Sequence, residues 1–359
     1  MDGPSNNNTR SDWYDIVHPR VSPIFSRDEK SHTDRRRTDN IPLRQAIKEY
    51  LPRILRQIST LEQLIATYGS QPVVVNDIMQ WFAFDSMGEF AFNESYNMMK
   101  SGKQHSAITQ QRSALALLGP LNAAIWIPRL AFADSQMKKR LQTKVEEPDI
   151  AAWFIKDLGN DRVSMDKKTR QNLLSGNTAT AIVAGSYPEH AEKIYGELSS
   201  IDTHDLGALA ALPHFNGVIN ESMRLFPAAL TTGSRLTPPE GLHIDGTFIP
   251  GATKITAPRY SVFRHESAFE DPHSFIPERW YSRPELIKDQ RAFAPFGVGR
   301  RICVGKNLAL TQIRLVTATL VCKYRVRFAS GDKGEAMERD LRDQLTALPG
   351  RFSVVFDVR

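Results

Sequence analysis

The sequence predicts a mainly α-helical protein with a small β portion, on two observations. Between residues 43 and 68, Leu43, Ile47, Leu51, Ile54, Leu55, Ile58, Leu61 and Ile65 recur at three- and four-residue steps, the period of an amphipathic helix. Extended patterns are confined to short runs, at 231–262 and close to the C-terminus. Composition bounds the rest. The 359 residues, 41% hydrophobic and 24% charged, suffice for a sizeable core in one large domain or two modest ones, and exclude wholesale disorder or low complexity. A net charge of +6 over so large a surface does not point to nucleic acid. The two cysteines, Cys303 and Cys322, are too few for a disulfide framework or a Cys-only zinc site, and point to a reducing compartment.

Residues 1–12 (MDGPSNNNTRSD) are polar and Asn-rich, do not resemble a signal peptide, and are expected to be disordered. The basic run Arg35-Arg36-Arg37 reads as a solvated face or arm. Pro52 is expected to bend the 43–68 helix. Residues 74–92 read as a more completely buried helix, with Trp81, Phe82, Phe84, Phe90 and Phe92 as core. The most apolar stretch, Ser113 to Pro128, is interrupted by Gly119, Pro120 and Asn122 and falls short of the ~18 apolar residues a spanning helix needs. Residues 134–170 suit surface helices and a loop, and 171–186 form a small apolar stretch ending Ala184-Gly185-Ser186. Pro188-Glu189 suits the first turn of a helix that continues through Ile194 and Leu198, and a further helix covers 214–226. Asp245-Gly246 and Pro250-Gly251 bracket Thr247 to Ile249 as in a hairpin. A Pro-rich stretch at 272–283, a Gly-rich loop at 297–305, a long helix to about 322, and strands at 323–328 and 352–358 complete the chain, which has no internal repeat.

The most informative segment is 293–310, FAPFGVGRRICVGKNLAL, in which Phe296, Gly299, Arg301, Cys303 and Gly305 fit Phe-x-x-Gly-x-Arg-x-Cys-x-Gly. Each residue type has a task if Cys303 is a thiolate ligand of haem iron. The glycines let backbone amides approach the sulfur, Arg301 neutralises a propionate, Phe296 shields the sulfur, and the helix that follows turns its positive end towards it. A phosphate-binding loop fails on spacing: Gly299 to Gly305 is one residue too long, and Asn307 stands where a hydroxyl is needed. A disulfide to Cys322 fails on distance, since a helix of ~18 residues would hold the sulfurs ~25 Å apart. A buried structural cysteine remains the alternative.

This pattern resembles the haem-binding signature of the cytochrome P450 family, and the resemblance runs from about residue 13 to the C-terminus. It is most similar to fungal monooxygenases of secondary metabolism in the 74–100 region and at Ala184-Gly185-Ser186. The resemblance implies one haem domain over 13–359 with the P450 fold in incomplete form, and haem b held through Cys303. It further implies that Glu221 and Arg224, in a Glu-x-x-Arg pair, join Arg279, in Phe275-Ile276-Pro277-Glu278-Arg279-Trp280, in a buried structural network. Arg235 matches a propionate-binding arginine, and His32 and Arg36 resemble a further propionate pair. Ala228, Leu230, Thr232, Leu345 and Thr346 fall where the family builds its substrate wall. Arg300, Arg301, Lys306 and Arg314 are basic residues near the cysteine suited to an acidic reductase surface.

The chain departs from the family where Ala184-Gly185-Ser186 is followed directly by Tyr187-Pro188-Glu189-His190. The acid-alcohol pair that delivers protons to iron-bound dioxygen, and the second half of the central helix, have no counterpart. Either Ser186 or a water chain delivers protons, or the chain carries out an oxygen-independent rearrangement, or it is a shortened gene product. On the N-terminal side the family's anchor, first sheet and the helix before His32 are also without counterpart, so no spanning segment is expected. Localisation is left open, as intracellular without signal peptide or anchor, where the family usually sits at the endoplasmic reticulum membrane. Gln312 replaces a common glutamate. The implied function is a haem-thiolate monooxygenase that oxidises a small apolar substrate in fungal secondary metabolism, with electrons from an NADPH-cytochrome P450 reductase-type donor. The alternatives are a degenerate, non-catalytic haem-binding member and an interaction protein without haem.

Overall fold

The computed structural model describes residues 9–10, 50–92, 94–105, 188–231, 234–303, 305–344 and 346–359. The period read over 43–68 emerges as helix α1, described over 50–68, with Pro52 in its first described turn. Ile54, Ile58, Leu61 and Ile65 on its inner stripe are all buried, as that spacing requires. Helix α2 (Val75–Phe92) turns Val75, Ile78, Met79, Phe82, Met87 and Phe90 into the same core. Its expected aromatic stripe is divided: Phe84 packs with Met98 in a small separate cluster, and Trp81 is only half-buried. Between α1 and α2, Arg53 donates to the Glu89 carbonyl at 3.2 Å and Arg56 pairs with the Glu89 carboxylate at 3.2 Å.

Helices α3 (Pro188–Leu198), α4 (Leu206–Ala211), α5 (Pro213–Leu225) and α6 (Lys306–Lys323) form the centre. Proline opens both α3 and α5, where its missing N–H costs no helical bond. Helix α4 is absent from the sequence reading. It is only six residues long, too short to show a period, and is set by Asp205, whose side chain accepts from the N–H groups of Gly207 and Ala208.

The strands are short. They are β1 (Thr9–Arg10), β2 (Val73–Val74), β3 (Arg235–Leu236), β4 (Leu242–Ile244), β5 (Thr247–Ile249), β6 (Lys254–Ile255), β7 (Tyr324–Phe328), β8 (Arg342–Gln344), β9 (Thr346–Leu348) and β10 (Ser353–Val358). They pair antiparallel in the orders β1-β3-β6, β2-β10-β7, β4-β5 and β8-β9. The β4-β5 hairpin turns on Asp245 and Gly246, both at positive φ (47° and 75°), the geometry of a primed turn. Strands β7 and β10 fall where the sequence indicates strands, and they pair with Phe356 opposite Val326.

Within the stretch 1–12, Thr9 and Arg10 pair with Leu236 and Arg235 and Arg10 is buried, while the rest of that stretch lies outside the described residues. Strand β2 differs from the sequence reading, which began α2 at 74. Val74 pairs instead with Ser353, and the junction is clamped by the next residues. Asn76 donates to the Pro349 and Gly350 carbonyls at 3.3 and 3.1 Å and accepts from the Phe352 N–H, while Asp77 pairs with Arg351. The readings for 134–170 and 171–186, and for His32, Arg36 and Ser186, lie outside the described residues. Among the described residues no helix is long and apolar enough to cross a membrane.

Helix α5 lies against a turn of 3-10 helix, Pro277–Trp280, at a distance that only glycine permits. A Cβ on Gly217 would stand 2.7 Å from the Pro277 carbonyl oxygen. Gly196 in α3, by contrast, faces open space. Gly217→Ala is therefore expected to lower the unfolding free energy by about 1–3 kcal/mol through overpacking. Gly196→Ala should raise it by up to about 1 kcal/mol through helix propensity. Urea unfolding of the two variants checks the opposite signs.

Candidate functional site

Three charged side chains, Glu221 and Arg224 on α5 and Arg279 in the 3-10 turn, are completely removed from solvent, each at 0% exposure. Their i,i+3 spacing lets Arg224 grip Glu221 with two parallel bonds, Nε to Oε2 at 2.9 Å and Nη2 to Oε1 at 2.7 Å. Arg279 Nε reaches the same Oε1 at 3.0 Å, and the Ile276 N–H and the Trp280 indole N–H each donate to the carboxylate at 2.9 Å. The remaining guanidinium donors go to backbone carbonyls. Arg224 takes those of Phe263, Pro272 and Ser274, and Arg279 takes those of Glu270, Leu286 and Asp271. Burial pushes the Arg279 guanidinium below its ordinary range, and the Glu221 charge works against that shift.

This network is joined to the cysteine loop by an aromatic contact. The Trp280 ring, held by Glu221, packs against Phe293 with centroids 4.4 Å apart, and Phe293 packs in turn on Phe263 at 5.6 Å. From there the loop turns on Gly297 and Gly299, at φ 74° and 67°, a region that favours glycine. The Cys303 N–H donates to the Phe296 carbonyl at 2.8 Å, and Gly305 is the N-cap of α6. Cys303 is half-buried and packs on the core cluster that contains Phe296 and Leu308. A Cβ on Gly305 would lie 3.8 Å from Cys303 Sγ, in ordinary contact with the sulfur. The chemistry of the donor set fits a haem: one sulfur at the start of an 18-residue helix and a buried aromatic beside it, with the cationic side chains of Arg235 and Arg301 elsewhere in the fold.

Arg235 is buried on β3, opposite Arg10 and Ile255, and Arg301 is half-buried in the loop. The Ala228 carbonyl accepts from the Ala347 N–H at 2.8 Å, and Thr231 bonds Asp343 at 3.0 Å. The segment after α5 and the β8-β9 hairpin are thereby brought together, with Ala228 and Thr346 buried and Leu230 half-buried. Thr232 and Leu345 lie outside the described residues. Lys306 is exposed at the start of α6. Arg314, grouped with it as a partner-facing charge, is instead half-buried and donates to Asn216 on α5 at 2.8 Å, so it serves helix packing. Gln312 is buried with neither end of its amide hydrogen-bonded among the described residues. Both cysteines are free, and burial pushes the Cys322 thiol up.

Three features escaped the sequence reading. Trp280 as a ligand of Glu221 could have been sought from its place beside Arg279. Arg259, whose Nη2 lies 3.4 Å from the position a Gly297 Cβ would take, has no local signal. Nor does a cluster of His190, His214 and Glu278 drawn from three separate elements.

The fold is that of a haem domain: it matches the solved heme domain of cytochrome P450DA with a TM-score of 0.78 at 17% identity, over 98% of this chain and 84% of that one. The family model for cytochrome P450 matches residues 185–356. The cytochrome P450 monooxygenase notG' of Aspergillus versicolor is 31% identical over 386 residues, which is 98% of this chain and 70% of the relative. Tryprostatin B 6-hydroxylase of Aspergillus fumigatus is 33% identical over 92% of this chain and 66% of its own length. The cytochrome P450 monooxygenase FCK2 of Fusarium pseudograminearum is 31% identical over 98% and 70%. The chain belongs to the cytochrome P450 family, and its class is the haem monooxygenase of fungal secondary metabolism. It spans 66 to 70% of the length of these three relatives. An alignment of 386 positions on a chain of 359 also means that notG' carries residues within the matched span that this chain lacks.

Removing the one carboxylate would leave two buried guanidinium groups without a counter-charge. Glu221→Gln, nearly unchanged in shape, is expected to cost about 3–5 kcal/mol of stability. Chemical denaturation followed by circular dichroism measures it, and an unchanged midpoint would deny Glu221 its role as counter-ion.

Proposed function

We propose that Cys303 is the axial thiolate of a haem b, and that the chain uses it to insert oxygen into a small apolar organic substrate. The observation that carries this reading is the placing of Cys303 between a glycine-turned loop and the first turn of α6, with its N–H tied to the Phe296 carbonyl. When bound, haem supplies a redox-active iron that takes electrons singly and activates dioxygen.

The residues of the chain then divide the remaining work. Gly299 and Gly305 keep side chains away from the sulfur, and Phe296 limits water at it. Arg235 and Arg301 neutralise the propionates, with His32 and Arg36 as a second pair. Glu221, Arg224 and Arg279 act through Trp280 and Phe293 to hold the loop, and are positioning residues. Ala228, Leu230, Thr232, Leu345 and Thr346 line the substrate side, where an apolar surface selects an apolar molecule. Ser186 is the hydroxyl available to relay protons, since α3 already begins at Pro188. Electrons come from an NADPH-cytochrome P450 reductase-type donor, drawn by positive charge near the cysteine that includes the exposed Lys306.

An absorption spectrum of the haem-supplied protein, reduced under carbon monoxide, tests the ligand. A strongly red-shifted Soret band that disappears in Cys303→Ser is the expected outcome, and a band unchanged by the mutation would assign the iron to another ligand. For the proton relay, Ser186→Ala should lower turnover and raise the share of electrons lost to peroxide while leaving that spectrum intact; equal coupling in both proteins would remove Ser186 from the relay.

A further inference from the structure

We propose that His190, His214 and Glu278 form a site for one divalent cation of the zinc class, built on none of the cysteine-loop residues. One potential ligand atom from each lies within 4.8 Å of the others. His190 Nδ1 and His214 Nε2 are 3.2 Å apart, close to the separation of about 3.3 Å between two nitrogens bound to zinc at near-tetrahedral angles. A hydrogen bond between the two rings would give the same distance; what makes the pair a ligand set is a carboxylate from a third element beside it. The other nitrogen of His214, Nδ1, is 3.0 Å from the Tyr281 hydroxyl, which fixes the ring and leaves Nε2 for the cation. The backbone of His214 is held as well, because its N–H and that of Phe215 donate to the Glu197 carboxylate at 2.9 and 2.8 Å. The Glu278 carboxylate lies 3.9 Å from His214 Nδ1, the nitrogen nearer Tyr281, so it completes the ligand set by turning towards Nε2 and His190.

Two imidazoles and one carboxylate select zinc-class ions over magnesium or calcium. His214 is buried while His190 and Glu278 are half-buried, so the cation enters from solvent and water completes its shell. Lys193 competes for Glu278, at 3.4 Å, yet keeps Glu189 at 2.9 Å when Glu278 turns to the metal. The ligands come from α3, α5 and the Pro277–Trp280 turn, so a bound ion would pin both helices to the turn that carries Arg279.

The test is calorimetric titration of the full, haem-supplied and chelator-treated protein with zinc, beside magnesium, with zinc-edge X-ray absorption to read the ligands. Expected are one zinc per chain with imidazole in its shell, no saturable magnesium binding, and an affinity lowered at least about tenfold in His190→Ala and in Glu278→Gln. Lys193→Gln, which removes the competing charge, should bind zinc more tightly. Cys303→Ser should bind zinc as the parent does, whether or not the haem reading holds. Absence of saturable zinc binding, an affinity unchanged in His190→Ala, or zinc binding lost only in Cys303→Ser would overturn the site.

Discussion

The Glu221 carboxylate is the point on which the irregular half of the molecule rests. Between Phe263 and Phe293 the chain has only short 3-10 turns and an isolated bridge between Phe269 and Ile287, so few of its carbonyl groups are satisfied by a helix or sheet ladder. Two guanidinium groups take over that task and bind six of those carbonyls. That solution puts two cations in the interior, which is costly unless they are neutralised. Glu221 meets most of that cost by binding both, and with its remaining acceptor capacity it orients the Trp280 indole. The ring of Trp280 then fixes Phe293, from which the cysteine loop departs. The position of Cys303 thus depends on electrostatics some distance away as well as on its own glycines.

What was legible in the sequence follows from how local the cause is. The buried stripe of α1, the proline starts of α3 and α5 and the length of α6 arise from residues within a few turns of each other, and period and capping chemistry express them directly. The Asp245-Gly246 hairpin is as local. Glu221, Arg224 and Arg279 were readable because their order along the chain resembles that of a known family; their spacing alone is common. Features made by distant segments left no trace. Val74 looks like the beginning of a helix until Ser353 pairs with it, and Arg314 looks like a solvent-facing charge until Asn216 takes it. His190, His214 and Glu278 are ordinary residues one at a time.

The family match opens at residue 185 and α3 at Pro188, with Tyr187 alone between Ser186 and the new helix. The part of the chain that matches the family model thus begins just before α3 and contains α5, the Pro277–Trp280 turn and α6, which carry the Glu221 network and the cysteine loop.

The β2-β10-β7 sheet has a temporal implication. Strand β2 precedes its partner β10 by most of the chain, and Asn76 and Asp77 are bound by residues 349–352. On a ribosome, α1 and α2 emerge long before anything exists to close them off. The face that β10 covers stays open until the intervening segments have been made, and contacts so far apart in sequence form slowly even then. Closing of α1 and α2 by β10 is in that sense a late step of assembly, deferred by the length of chain between them.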